Sequence, residues 1–260
     1  MKCMKLYSSA VCAPGLLRNE NQDNLYINGT YRGDIADRSV LRYGDEVRDR
    51  GLYAVADGMG GEEHGELASV MVVRQMSAVD VACGSRGVLE YLEERNTEVC
   101  DLITENGGAR IGTTFAGLCV NDKLADVINI GDSRVYFLRG SEFVQVSRDH
   151  TSVRQMVDLG LITKEAARFH PDQHKLTQHI GIFPSELLIE PYTTCIKLKK
   201  NDLFLLCSDG LTDMVDDYAI ESVLKSALTL DEKTEALYEA AVHNGGRDNV
   251  TILLVEVKKA

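Results

Sequence analysis

Proline is scarce in this chain, 4 in 260 residues with 22 glycines, which argues against a long disordered tail. No apolar run approaches ~18 residues, so no transmembrane helix and no membrane association are expected. Lys2 and Lys5 precede an apolar stretch that stops at Pro14-Gly15, too short for a signal peptide. The cysteines, at 3, 12, 83, 100, 119, 195 and 207, form no C-x-x-C pair, which excludes a zinc knuckle or a thioredoxin-type motif. Cys83, Cys119, Cys195 and Cys207 have apolar neighbours and are expected to be buried free thiols, consistent with a reducing, cytoplasmic setting. There is no basic run, and the formal charge of −12 would repel a long polyanion, so no nucleic acid partner is expected. Repeats, linkers and low-complexity tracts are absent too. The chain reads as one domain over 1–260, and 44% hydrophobic residues supply its core.

Short runs rich in Val, Ile, Tyr, Phe and Thr recur at 24–27, 51–56, 114–120, 125–130, 134–138, 142–146, 187–198, 202–207 and 250–257, and predict strands. NGT and RGD, between 27 and 35, predict turns. Apolar residues at helical offsets predict helices over 64–81 and 88–103, and two more near 217–227 and 232–243, the last ended by Gly245 and Gly246. Strands come in runs, without regular β-α-β alternation. That order predicts an α+β fold of antiparallel sheets with helices packed outside. Residues 150–186 are polar and His-rich and form a surface excursion, with short helices at 152–159 and 164–168, the second capped by Thr163.

Five aspartates stand at the mouths of apolar strands: Asp23 before NLYI, Asp57 after LYAVA, Asp132 after VINIG, Asp209 after LFLLCS and Asp248 before VTILLVEV. A single Asp-Gly is an ordinary turn. Five strand ends gathered by one core are another matter, because like charges ~4 Å apart repel by a few kcal/mol even at an effective dielectric of ~20. Such a cluster titrates upward or takes cations between its members. With no His or Cys at these strand ends, the donors are all oxygens, which select Mg²⁺ or Mn²⁺ over Zn²⁺. Cys12, Gly15 and Arg18 have the Cys-x-x-Gly-x-x-Arg spacing of thiolate phosphatases. That chemistry needs a positive surround, whereas Glu20 and Asp23 follow at once and Asn19 stands where Ser or Thr is required.

GLLRNENQDN (15–24), DGMGG (57–61), GTT (112–114), NIGDSRVY (129–136), SRDHTSV (147–153), HPDQHKLTQHIG (170–181), LCSDGLTDMV (206–215) and GGRDNVTILLV (245–255) occur in this order. Together they resemble the motifs of the metal-dependent protein phosphatases, the type 2C protein serine/threonine phosphatases, in their stand-alone bacterial form. The resemblance implies two antiparallel sheets packed face to face between helix pairs, a four-layer α-β-β-α sandwich, with 150–186 as a flap. It implies two Mn²⁺ or Mg²⁺ ions bridged by Asp57. Asp209 and Asp248 would complete the first ion's shell. The Gly58 carbonyl would bind the second, with Asp23 supporting it through water. A third, weaker ion would lie between Asp132 and Asp209. Arg18 would grip the substrate phosphate, and a metal-bridging hydroxide would attack phosphorus without a covalent intermediate. The implied partners are phosphoprotein substrates, a cognate Ser/Thr kinase among them, met by a monomer.

Two departures stand out. Some relatives have His after Asp-Gly, where this chain has Met59, so the general acid is unassigned; many have Glu where it has Gln22. His64 reads as an exposed residue at a helix start. Glu62, Glu63 and Glu66 could suit basic substrate segments or simply solvate that helix start. The rival reading, a catalytically silent scaffold or ligand-binding protein of the same fold, should have lost metal carboxylates, but Asp57, Asp209 and Asp248 are present.

Overall fold

The apolar runs of the central β strands are continuous rather than alternating because both faces of the sheets are covered there. The computed structural model describes residues 4–60 and 64–259. The chain begins with β1 (Met4–Ala13), β2 (Asp23–Ile27), β3 (Thr30–Tyr31), β4 (Leu41–Arg48) and β5 (Arg50–Met59), followed by α1 (Gly65–Arg74) and α2 (Ser85–Glu105). Five strands follow: β6 (Gly112–Thr113), β7 (Phe115–Asn121), β8 (Leu124–Ile130), β9 (Arg134–Arg139) and β10 (Glu142–Gln145). The excursion carries α3 (Ser152–Asp158) and α4 (Lys164–Ala167). The C-terminal part comprises β11 (Tyr192–Lys197), β12 (Leu203–Cys207), α5 (Asp209–Thr212), α6 (Asp217–Lys225), α7 (Leu230–His243) and β13 (Val250–Lys259).

All pairings between strands are antiparallel, in a six-stranded sheet ordered β10-β9-β12-β13-β1-β4 and a seven-stranded sheet ordered β11-β8-β7-β5-β2-β3, with β6 on β5. The period-two rule sorts their side chains into layers. Leu253 and Val255 of β13, Phe204 and Leu206 of β12, and Tyr53 and Val55 of β5 share the core between the sheets. The intervening Ile252, Leu254 and Leu205 face α6 and α7. Leu52, Ala54 and Ala56 face α1 and α2. The result is the four-layer sandwich implied by the resemblance.

Several local expectations change. The predicted 64–81 helix ends at Arg74; Met76 still buries itself on a short 3₁₀ turn and Val79 just after it, before a second such turn capped by Asp80 accepting from the Ala82 amide. The run at 187–198 is a strand only from Tyr192, because Pro191 has no N–H to give a ladder. Asn28-Gly29 forms a two-residue hairpin turn with both φ positive, at 46° and 103°. RGD is not a turn: Arg32 is buried, and the turn falls at 34–37. Strands β1 and β4 lacked a sequence signal; β4 is a half-exposed edge that reads as polar. Cys119 and Cys207 are buried as expected, but Cys83 and Cys195 are exposed, while Cys12 and Cys100 are buried. Gly245 and Gly246 end α7 at positive φ, their amides donating to Val242 and Ala241. Glu62 and Glu63 lie outside the described residues.

Candidate metal centre

The sheet registers carry the aspartates to one end of the sandwich. Asp23 opens β2 directly opposite Asp57 near the end of β5. Asp209 starts α5 just after β12, Asp248 lies just before β13, and those strands are neighbours. Asp132 occupies the turn between β8 and β9. Burial and the charges of Asp23, Asp209, Asp132 and Asp248 push the Asp57 carboxyl well above the usual carboxylate range. Burial and the charge of Asp209 do the same to Asp132. Arg18 donates to the Asp248 carboxylate at 2.6 Å, a bond that raises the guanidinium pKa. All seven candidates from the sequence, Arg18, Asp23, Asp57, Gly58, Asp132, Asp209 and Asp248, thus converge on one region. A cleft of about 910 Å³ opens onto it, with Arg18, Asp132, Asp209 and Asp248 in its lining.

The backbone around these carboxylates is tightly held. The Asp57 amide donates to Thr114 Oγ1 at 3.0 Å, and its carbonyl accepts from Thr113 Oγ1 at 2.9 Å and the Thr114 amide at 2.9 Å. A Cβ on Gly58 would lie 2.2 Å from the Gly65 carbonyl oxygen, so only glycine fits that turn. A Cβ on Gly210 would lie 1.9 Å from the Asn249 oxygen, where α5 crosses the start of β13. Asp23 Oδ2 accepts from Ser208 Oγ at 2.7 Å and Thr251 Oγ1 at 2.8 Å.

Asp23 Oδ1 is buried with no hydrogen-bond partner among the described residues. A buried carboxylate oxygen without a donor is costly unless a cation takes that place. That orphan oxygen, together with mutually repelling carboxyls, fits a hard divalent cation.

Three features were missed by the sequence reading. His174, from the excursion, lies with Asp132 and Asp209 so that one ligand atom of each is within 4.8 Å of the others. Its Nδ1 is 3.5 Å from Asp209 and its Nε2 is 3.3 Å from Asp213. Hydrogen bonding to Asp209 raises its pKa to about 9, against the opposing effect of burial. A histidine from the excursion, not from a strand end, thus faces the acids at this edge; only the His-rich character of 170–179 hinted at it.

The second feature is Arg32, 1% exposed. It donates to the carbonyls of Asn21 and Asp23, the latter at 3.0 and 3.2 Å, so a buried cation sits directly behind the Asp23 turn. The third is the burial of Cys12. Its thiol is pushed up to about 11 by burial, then by the charge of Asp23, and its sulfur accepts from the Asn21 amide and touches the Thr251 hydroxyl. Cys12 is a structural thiol beneath the acids, not a nucleophile. His64 is at the start of α1 and does not line the cleft.

Oxygen-rich acids gathered at one end of a two-sheet sandwich define a divalent-cation hydrolase. The chain belongs to the protein phosphatase 2C family, whose model matches residues 37–242, and it is a serine/threonine protein phosphatase of that metal-dependent family. It is 35% identical over 217 residues to protein phosphatase PhpP of Streptococcus pneumoniae, covering 81% of this chain and 87% of that one. It is 35% identical over 251 residues to the serine/threonine phosphatase stp of Listeria innocua, covering 93% and 92%. The crystal structure of the Mycobacterium tuberculosis serine/threonine phosphatase PstP/Ppp superposes with a TM-score of 0.82 at 29% identity, covering 98% of this chain and 99% of that one. The catalytic domain of PstP in complex with two manganese ions superposes at 0.79 with 28% identity, covering 98% and 99%.

Proposed function

We propose that this chain hydrolyses phosphoserine and phosphothreonine on proteins at the Asp57 centre, as a single catalytic domain with 150–186 as its flap. The observation that carries the reading is the convergence of Asp23, Asp57, Asp132, Asp209 and Asp248, where burial and the neighbouring charges raise the carboxyls of Asp23, Asp57 and Asp132. Asp57 would be shared by two ions, with Asp209 and Asp248 on the first, and the Gly58 carbonyl and Asp23 on the second. Asp132 and Asp209 would hold a third. The two manganese ions of the similar PstP domain support the core pair. Bound Mn²⁺ or Mg²⁺ supplies a Lewis acid for the phosphate oxygens and lowers the pKa of the attacking water.

The residues of the chain do the rest. Arg18 spends one N–H on Asp248, which holds the guanidinium at the cleft, and its other donors fork toward phosphate oxygens. Ser208 and Thr251 aim Asp23, and Thr113 and Thr114 fix the Asp57 turn, so the carboxylates are oriented before substrate arrives. Free cysteines and the family's substrates fit a cytoplasmic monomer, with a Ser/Thr kinase among its targets.

Hydrolysis of p-nitrophenyl phosphate and of a phosphothreonine peptide, with Mn²⁺ or Mg²⁺ and with chelator, tests the reading. Both should be hydrolysed only with metal, and Asp57→Asn should abolish both. Equal rates in chelator, or an active Asp57→Asn protein, would overturn it.

A further inference from the structure

The rim of the catalytic cleft runs against the charge of the whole protein. Formal net charge is −12, and the rim acids outside the metal centre each have a partner, a cation for Asp149 and Asp213 and a neutral hydroxyl for Asp217. Asp149 is held by Arg134 at 2.6 Å, Asp213 by His174 at 3.3 Å, and Asp217 accepts from the Tyr136 hydroxyl at 2.9 Å. Arg154 shares Asp158, at 2.9 Å, with Arg148 at 2.7 Å. Three cations that line the same cleft are left over: Lys164, Arg168 and Arg247. Each is exposed and has no hydrogen bond or ion pair among the described residues. Lys164 and Arg168 come from the excursion, whereas Arg247 comes from the turn beside Asp248. The unpaired positive charges therefore come from two separate segments that line the cleft.

We propose that these three cations select phosphoresidues flanked by carboxylates, so that the preferred substrates carry Asp or Glu close to the target serine or threonine. The proposal rests on the phosphatase reading of the cleft and names the class of polypeptide it takes. Unpaired cations on a rim attract anionic segments and repel basic ones, which shapes selectivity and encounter more than raw affinity. Their reach is one Debye length, ~8–10 Å near physiological salt. An extended chain covers that distance in about three residues. The preference is thus local to the substrate residues that pass within that distance of the three cations, and it fades with salt. Glu66 is the described member of the acidic group near the metal turn, and it does not line the cleft, so it offers no competing site for basic flanks.

Three phosphothreonine peptides, identical except for Glu, Gln or Lys within three positions of the target, provide the test. At low ionic strength with saturating Mn²⁺, kcat/KM for the Glu peptide should exceed that for the Gln peptide by about tenfold, with the Lys peptide lowest, as three weak exposed pairings would give. At about 0.5 M NaCl the spread should shrink to about twofold. Arg168→Glu, with its folding checked by thermal unfolding, should reduce the Glu-over-Gln ratio by about threefold or more. Equal kcat/KM for the Glu and Gln peptides in the unaltered protein would overturn the proposal, as would an Arg168→Glu protein slowed by one factor on all three. Failure to hydrolyse any peptide with Mn²⁺ present would instead overturn the phosphatase reading on which the proposal rests.

Discussion

Replacing Arg32 by methionine should destabilise the protein and loosen its hold on metal at the same time. Methionine retains much of the apolar stem and removes every donor. The six bonds made by Arg32 are unequal. Those to Asp34, Ile35 and Asp37 are 3.3, 3.2 and 3.5 Å long, and the Asp34 carbonyl has a second donor in the Asp37 amide. The bonds that matter go to Asn21 and Asp23, on either side of Gln22. A hydrogen bond from a charged donor is worth about 1.5–3 kcal/mol, so losing the grip on two buried carbonyls costs about 3–6 kcal/mol. That is a large fraction of a typical stability of about 5–15 kcal/mol. Urea unfolding followed by tyrosine fluorescence suits a chain with 10 tyrosines and no tryptophan. Calorimetric titration with Mn²⁺ reads the second consequence, because the Asp23 carboxylate is aimed by the turn that Arg32 holds. Arg32→Lys should recover only part of both, since one ammonium cannot span both carbonyls as the guanidinium fork does. A loss below about 1 kcal/mol for Arg32→Met, with unaltered Mn²⁺ affinity, would refute the reasoning.

Cys12→Ser should leave kcat/KM within about threefold of the parent, since the thiol is a buried acceptor rather than a thiolate; loss of activity with retained fold would restore the cysteine mechanism. Burial raises the Asp23 pKa from its ordinary 3.8 to about 7, although Ser208 and Thr251 oppose the shift. The metal-free folded chain therefore holds a proton that the unfolded chain releases, and stability in chelator falls as pH rises from about 4 to about 7. Calorimetric Tm at several pH values should decline across that window, and Mn²⁺ should abolish the decline; a rising Tm in chelator would contradict the assignment. Gly210→Ala forces a Cβ to within 1.9 Å of the Asn249 oxygen, pushing α5 away from β13 and separating Asp209 from Asp248. A stability loss of about 1–3 kcal/mol with markedly weaker metal activation is expected, and an unchanged activation curve would count against that coupling.

Local chemistry alone determined much of this protein. Runs such as LFLLC and VTILLVEV specify strands buried on both faces, and Asp57-Gly58 and Asp209-Gly210 mark where such strands end. Their ordered motifs identify the family before any coordinate is known. The edge strand β4 escaped that reading, because it alternates charged and half-exposed residues and gains its pairing only from β1. Long-range packing decided the remainder. It buried Arg32 behind Asp23, brought His174 beside Asp209 across the excursion, and left Asp23 Oδ1 without a donor. Spacing along a chain reports which groups can share a helix face or a strand face. Convergence of groups tens or hundreds of residues apart is set by sheet register and core packing, which no local pattern encodes.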